Sequence, residues 1–324
     1  MSIYGKGVMA GGGKPTPLSV SRNGTWSIAG GYSPVNVNVP ASTVTSGTVI
    51  ATAEGNYDVT NFKNVVVDIG AVFATTSPVS GVSYVDGLPN DWHIMKEIGM
   101  AISEASGSIN KNTTGSIYVN KENKWAYKIT PGDTIDVGNQ FGSFTYAVMG
   151  FNNFDLAHRT NYGGRHTTAG LTFGMVECTG QYQMNSTSTN SGGWDDCEMR
   201  TSTMPTLQKG MPDTLALVRV PYVDNESPNK NRFSRDYMFL PAEKEVFGTC
   251  AWSPPTEANA LTQFAYYKNG GSKIKSPYGS PAVWWWLRSV YYSYNHYFCA
   301  VDTSGGASIG NAPDSGYVAP CFCV

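Results

Sequence analysis

Trp284-Trp285-Trp286-Leu287-Arg288-Ser289 is a bulky apolar run with one embedded cation, and everything from it to Val324 decides how the chain is read. Such a run belongs inside a folded domain. An unpaired buried cation is expensive, so Arg288 is expected to be partly buried, hydrogen-bonded to carbonyls or a carboxylate, and structural in role. From Val290 to Val318 the character changes. Tyr291, Tyr292, Ser293, Tyr294, Asn295, His296 and Tyr297 lead into Asp302, Thr303, Ser304, Gly305, Gly306, Ala307 and Ser308. The chain then returns to an apolar plug, Val318-Ala319-Pro320-Cys321-Phe322-Cys323-Val324. A rigid apolar frame around a Tyr/Ser/Gly/Asn/Asp surface has the composition of a paratope. Tyrosine supplies contact area at low entropy cost, and the small polar residues supply adaptable hydrogen bonds.

The 324 residues suffice for one large domain or two smaller ones. Only 14% are charged, and Gly, Ser, Thr, Asn and Tyr are abundant, which suits a β- and loop-rich protein. A net charge of -2 gives no electrostatic case for binding nucleic acid or an anionic membrane. Met1-Ser2-Ile3-Tyr4-Gly5-Lys6-Gly7 lacks the apolar region of a secretory signal, and no apolar run is long enough to insert into a bilayer. Synthesis in a cytoplasm without a signal peptide is expected. The six cysteines are widely spaced with no Cys-x-x-Cys, so buried free thiols are expected, with no metal and no cofactor.

Upstream, residues 1–20 hold Gly11-Gly12-Gly13, Pro15 and Pro17 and read as a flexible or attachment segment. Residues 21–80 carry an internal repeat. Asn23-Gly24-Thr25-Trp26-Ser27-Ile28 with Val35-Asn36-Val37-Asn38-Val39 recurs as Glu54-Gly55-Asn56-Tyr57-Asp58-Val59 with Val65-Val66-Val67-Asp68-Ile69. Each copy is a turn, an aromatic strand and a valine strand, which together predict a small β module. The pattern resembles short repeats in tail and fibre proteins of phages that infect Gram-positive bacteria. Asn90 or Asp91 is expected to cap a helix in which Met95, Ile98, Ile102 and Ala105 follow helical spacing and which Gly107 ends. Ile117-Tyr118-Val119 and Trp125 to Ile129 predict a hairpin. Further short strands follow, separated by long polar loops such as Met184 to Trp194. Loops of that length in a compact domain are functional or held by tertiary contacts. The predicted class is α+β, rich in strands and loops.

Five ordered stretches carry a resemblance. They are Gly132-Asp133 with Val148-Met149-Gly150-Phe151; Met184-Asn185 through Gly193-Trp194 to Met199-Arg200; Asp236-Tyr237-Met238-Phe239-Leu240-Pro241 to Glu245-Val246-Phe247-Gly248; Trp285-Trp286-Leu287-Arg288-Ser289; and Val318-Ala319-Pro320 with Phe322. Together they resemble the C-type-lectin-fold variable proteins of diversity-generating retroelements, a fold distantly similar to the formylglycine-generating enzyme. The resemblance implies a lectin-fold domain over residues 88–324 with a variable region at about 290–317. It implies a phage or bacterial protein that binds a cell-surface receptor, protein or glycan, from a virion tail or fibre or from a cell surface. In such systems adenines of a template are substituted, and varied Asn codons ending in a pyrimidine never give Lys, Glu, Gln, Met or Trp. None of these five occurs between Val290 and Val318, although all recur elsewhere in the chain.

Under this resemblance Tyr292, Tyr294, His296, Ala300, Asp302, Ser304, Gly306, Ser308, Ile309, Gly310, Pro313, Asp314 and Gly316 form the diversified ligand-binding surface, with Tyr292 and Tyr294 dominating the binding energy. Trp285, Trp286, Arg288, Phe298 and Phe322 form the frame. Tyr291, Asn295 and Tyr297 stay open between the two. A homo-oligomer, by fibre analogy a trimer, would raise weak single-site affinity. Two alternatives stand beside the binder. One is an invariant structural fibre tip. The other is an enzyme of the formylglycine-generating type, which would need reactive thiols among Cys299, Cys321 and Cys323. No residue is assigned a catalytic role. Trp194-Asp195-Asp196 is the nearest approach to a calcium site and reads as a solvated acidic turn.

Overall fold

The computed structural model describes residues 72–121, 124–158 and 166–324 in full and, of residues 1–71, the backbone of six strands. Two compact units are present, residues 1–73 with 120–125, and residues 74–119 with 126–324.

The first unit contains β1 (Ser19–Val20), β2 (Thr25–Ile28), β3 (Val35–Asn38), β4 (Thr48–Ala51), β5 (Gly55–Asp58) and β6 (Asn64–Val67). The two copies of the repeat pair with each other. Strand β2 runs antiparallel to β5 with Trp26 opposite Tyr57, and β3 runs antiparallel to β6 with Val37 opposite Val65. Aromatic strands therefore share one three-stranded sheet, β1-β2-β5, and valine strands another, β3-β6-β4. Apart from β1, the attachment segment expected over residues 1–20 lies outside the described residues.

After β7 (Val72–Thr75) the larger unit begins with β8 (Val85–Asp86), which pairs parallel to β10 (Trp125–Ile129), the strand that follows β9 (Ile117–Lys121) in the chain. Helix α1 (Trp92–Glu104) starts where the carboxylate of Asp91 accepts the backbone N–H of His93 at 2.8 Å and of Ile94 at 3.3 Å. These bonds satisfy two of the donors that a helix start leaves free. The 3.6-residue spacing of Met95, Ile98 and Ile102 puts all three on the fully buried face.

That face meets a seven-stranded sheet. Its strands are β11 (Thr134–Asn139), β12 (Gly142–Leu156), β13 (Thr168–Met175), β15 (Val218–Tyr222), β16 (Arg232–Asp236), β17 (Met238–Phe239) and β22 (Cys321–Cys323). The order is β16-β15-β12-β13-β22-β17, with β11 paired to β12. Leu171 and Val324 exchange two backbone hydrogen bonds of 3.0 Å. Phe322 stacks on Phe173 with ring centroids 5.1 Å apart and meets Tyr146 edge-on at 5.0 Å. The apolar plug is thus a central strand of the core.

A second sheet has the order β14-β21-β18-β19-β20. It contains β14 (Thr179–Tyr182), β18 (Trp285–Val290), β19 (Tyr297–Val301), β20 (Ala307–Asn311) and β21 (Gly316–Val318). The connections include four short helices, α2 (Gly193–Asp196) and α3 (Met204–Gln208) between β14 and β15, and α4 (Glu243–Phe247) and α5 (Ala265–Lys268) between β17 and β18. The sequence predicts only α1, because helices of four or five residues are too short to show a 3.6-residue period. The architecture is a β- and loop-rich α+β arrangement. Among the described residues no helix is long and apolar enough to cross a membrane.

The helix and sheet touch backbone to backbone where Gly99 faces Gly170, and a Cβ built on Gly170 would lie 2.0 Å from the Gly99 carbonyl oxygen. Gly170→Ala is expected to destabilise the larger unit by about 2–3 kcal/mol, since overpacking forces backbone shifts. Thermal denaturation checks this, and an unchanged melting temperature would refute the close approach.

Candidate functional site

All six residues of β18 are buried. The strand is the central one of the second sheet, between β21 and β19, and the burial of alternate residues shows that both of its faces are covered. Arg288 is only 1% exposed, deeper than its sequence suggests. Its Nε donates to the Pro221 carbonyl of β15 at 3.0 Å, and Nη1 donates to the Leu240 carbonyl at 2.8 Å. Nη1 and Nη2 also fork onto Glu245 of α4 at 2.6 and 2.8 Å. One planar cation with a rigid fork of donors thereby joins three elements. The backbone N–H of Arg288 donates to the Pro241 carbonyl at 3.0 Å, within the stretch where β18–β19 pairing is irregular, between Trp286 and Val290.

Two further buried carboxylates flank this pair. Glu243 accepts the backbone N–H of Ser253 at 2.7 Å and of Trp252 at 3.1 Å. Glu257 accepts from the Ser289 hydroxyl at 2.8 and 2.9 Å, and that hydroxyl accepts the Glu243 N–H at 2.9 Å. Burial pushes the Glu257 carboxyl up to about 7, against the pull of the Arg288 charge. Residues 245 and 257 carried no sequence signal of this role, because their partners on β18 lie more than thirty positions away in the chain.

The tryptophans brace the outer sheet. Trp285 Nε1 donates to the Lys273 carbonyl at 3.0 Å and Trp286 Nε1 to the Tyr182 carbonyl at 2.9 Å. Trp284 stands edge-on to Trp286 at 4.8 Å. Gly310 and Gly316 lie against these rings. A Cβ on Gly310 would come within 2.5 Å of Trp286, and one on Gly316 within 2.4 Å of Trp284.

Beyond β18 the chain forms an aromatic loop. Tyr291 meets Trp252 at 5.6 Å, Tyr292 at 5.7 Å and Tyr294 at 5.6 Å, and His296 lies 4.4 Å from Tyr297. Tyr292 and Tyr294 are 55% and 56% exposed. The loop is gripped from outside the window. Asn190 Nδ2 donates to the carbonyls of Tyr297 at 2.8 Å and Tyr294 at 3.0 Å, and the Asn190 backbone N–H donates to the Asn295 carbonyl at 2.8 Å. Asn225 Nδ2 donates to the Tyr291 carbonyl at 2.8 Å and to Asn190 Oδ1 at 3.1 Å. Each of these bonds that reaches the loop lands on a backbone carbonyl and so does not depend on the loop's side chains. The long polar loop around Asn190 was the one sequence hint of such contacts. Asn225 had none.

Among the residues expected at the surface, Tyr292, Tyr294, Ser304 and Asp314 are exposed, and His296, Asp302, Gly306, Ser308, Ile309 and Pro313 are half-exposed. Ala300, Gly310 and Gly316 are buried and belong to the frame. Ala300 sits opposite Trp286 in the β18–β19 ladder, and the two glycines are fixed by the tryptophans. Asp302 is partly committed to the β19–β20 turn, where its Oδ1 accepts the backbone N–H of Ser304 and Gly306, both at 2.8 Å. Of the positions left open, Asn295 is exposed, and Tyr291 and Tyr297 are half-buried. Trp285, Trp286, Phe298 and Phe322 are 0% exposed.

Cys178, Cys197, Cys299, Cys321 and Cys323 are buried free thiols, and Cys250 is half-buried. Burial pushes Cys178, Cys197 and Cys323 up to about 12. Trp194-Asp195-Asp196 is not a solvated turn. It forms α2, with Trp194 fully buried and its Nε1 donating to Asp236 at 3.0 Å. Arg200 bridges Asp195 at 3.0 Å and Asp236 at 2.7 Å. Among the described residues no cluster of three or more His, Cys, Asp or Glu side chains could hold a metal ion.

Two outcomes are expected. Asn190→Ala removes two side-chain donations to loop carbonyls and should cost about 1–3 kcal/mol. It should also raise amide exchange across residues 291–297, and unchanged exchange there would refute the clamp. The raised Glu257 carboxyl holds its proton more tightly folded than unfolded. Its contribution favours folding below the ordinary carboxylate range and is lost as pH rises through about 7. Glu257→Gln should therefore flatten the fall in melting temperature between about pH 5 and pH 8. Parallel profiles for variant and parent would refute this.

A family model described as a domain of unknown function (DUF6273) matches residues 170–324, which run from β13 through the aromatic loop to β22. No curated protein and no solved structure matches the chain.

Proposed function

We propose that residues 88–324 are a C-type-lectin-fold binding module whose segment at about 290–317 is diversified to recognise a receptor on a cell surface. The observation that carries this reading is the division of labour around the aromatic loop. Asn190 and Asn225 hold its backbone through carbonyls that any residue supplies, while Tyr292 and Tyr294 project outward. A fold built this way tolerates replacement of the projecting side chains. The lack of Lys, Glu, Gln, Met and Trp between Val290 and Val318 supports the same reading. A virion tail or fibre, or a bacterial surface, is the setting proposed for it, with homo-oligomers adding avidity.

The state of the thiols favours binding over catalysis. A nucleophilic cysteine needs a depressed pKa. Burial instead raises Cys299, Cys321 and Cys323.

The test is nucleotide sequence around the gene. A non-coding near-copy of the segment encoding residues 290–317 should lie nearby with a reverse transcriptase, differing only where the copy has adenine. Independent isolates should then differ at Tyr292, Tyr294 and their exposed neighbours and keep Ala300, Gly310 and Gly316. A locus without the copy, or isolates identical through the window, would favour an invariant fibre tip.

A further inference from the structure

Two segments build the face around the aromatic loop, residues 178–199 and residues 289–324. They are joined by backbone bonds from Met184 N–H to the Ala312 carbonyl at 2.9 Å and from Asn190 N–H to the Asn295 carbonyl at 2.8 Å. A third link runs from the Ser188 hydroxyl to Asn311 Oδ1 at 2.7 Å. Neither segment contains a lysine or arginine, while together they carry Asp196, Glu198 and Asp314, besides Asp195, which pairs with Arg200, and Asp302, which lies in the turn at the other end of β19. The loop after Asn225 adds one acid, Glu226, and one base, Lys230. Arg200 and Arg232 do not offset this balance, since Asp195 and Asp236 hold the first and Asp224 holds the second at 3.0 Å.

Tyr292 and Tyr294 are the large exposed rings of the aromatic loop. The face of an aromatic ring is electron-rich and attracts guanidinium or ammonium groups, most strongly where surrounding charge is negative. We infer that this surface takes a cationic protein segment, one that presents arginine or lysine side chains to Tyr292 and Tyr294 within an acidic rim. The inference rests on the receptor-binding reading and names the chemistry of the partner. A neutral glycan would also stack on these rings but would draw nothing from the carboxylates, so salt dependence and probe charge separate the two.

The experiment titrates the full chain with a hepta-arginine peptide, with hepta-glutamate and maltoheptaose as controls, at low and high salt. Hepta-arginine should bind, and binding should weaken as salt screens the rim. The Tyr292→Ala/Tyr294→Ala double variant should bind about tenfold more weakly. Exposed Glu198→Lys should also weaken binding while leaving the melting temperature unchanged. Equal affinity in the double variant, tyrosine-dependent binding of maltoheptaose, or no binding of hepta-arginine would each overturn the inference. If the template copy is found and hepta-arginine fails, only the cationic partner is lost. Tyrosine-dependent hepta-arginine binding at a locus without the copy removes diversification and keeps the cationic site.

Discussion

The fork between Arg288 and Glu245 is the constraint on which the site depends. A guanidinium removed from water is tolerable only with its donors satisfied, and here two carbonyls and two carboxylate oxygens satisfy them. Each acceptor lies on a different part of the chain from β18. The bonds therefore fix β18 in position against β15 and α4, and everything carried by β18 inherits that position. Such a pair adds less to net stability than its short distances suggest, because desolvation offsets the attraction. Its stronger effect is on specificity, since a misplaced β18 would leave a charge buried and unpaired.

From that strand outward, rigidity passes through backbone contacts. The tryptophans lock the outer sheet through indole N–H bonds to carbonyls, and the asparagines lock the aromatic loop the same way. Carbonyl acceptors are common to every residue type. The loop's shape is thereby separated from the identity of its side chains.

Much of this was legible in the sequence. The helix at 92–104 announced itself by its cap and its apolar spacing, and the repeat anticipated its strands but not that the two copies pair with each other. The burial of Trp285, Trp286 and Phe322 followed from composition, while Trp284 is half-buried. Three positions were misplaced, and for one reason. Ala300, Gly310 and Gly316 are small, and small residues suit either an adaptable surface or a tight contact with a large ring. Only the positions of Trp284 and Trp286 decide between these. Glu257 and Asn225 were invisible for a related reason, since a lone acid or amide reveals nothing of a distant partner.

The amide clamp has a thermodynamic corollary. Fixing the backbone of one residue costs about 1–2 kcal/mol in conformational entropy. In a free loop that cost would fall due at the moment of contact and subtract from affinity. With Asn190 and Asn225 in place, the loop is ordered when the protein folds. Contact at Tyr292 and Tyr294 therefore carries no further cost for ordering the backbone beneath them.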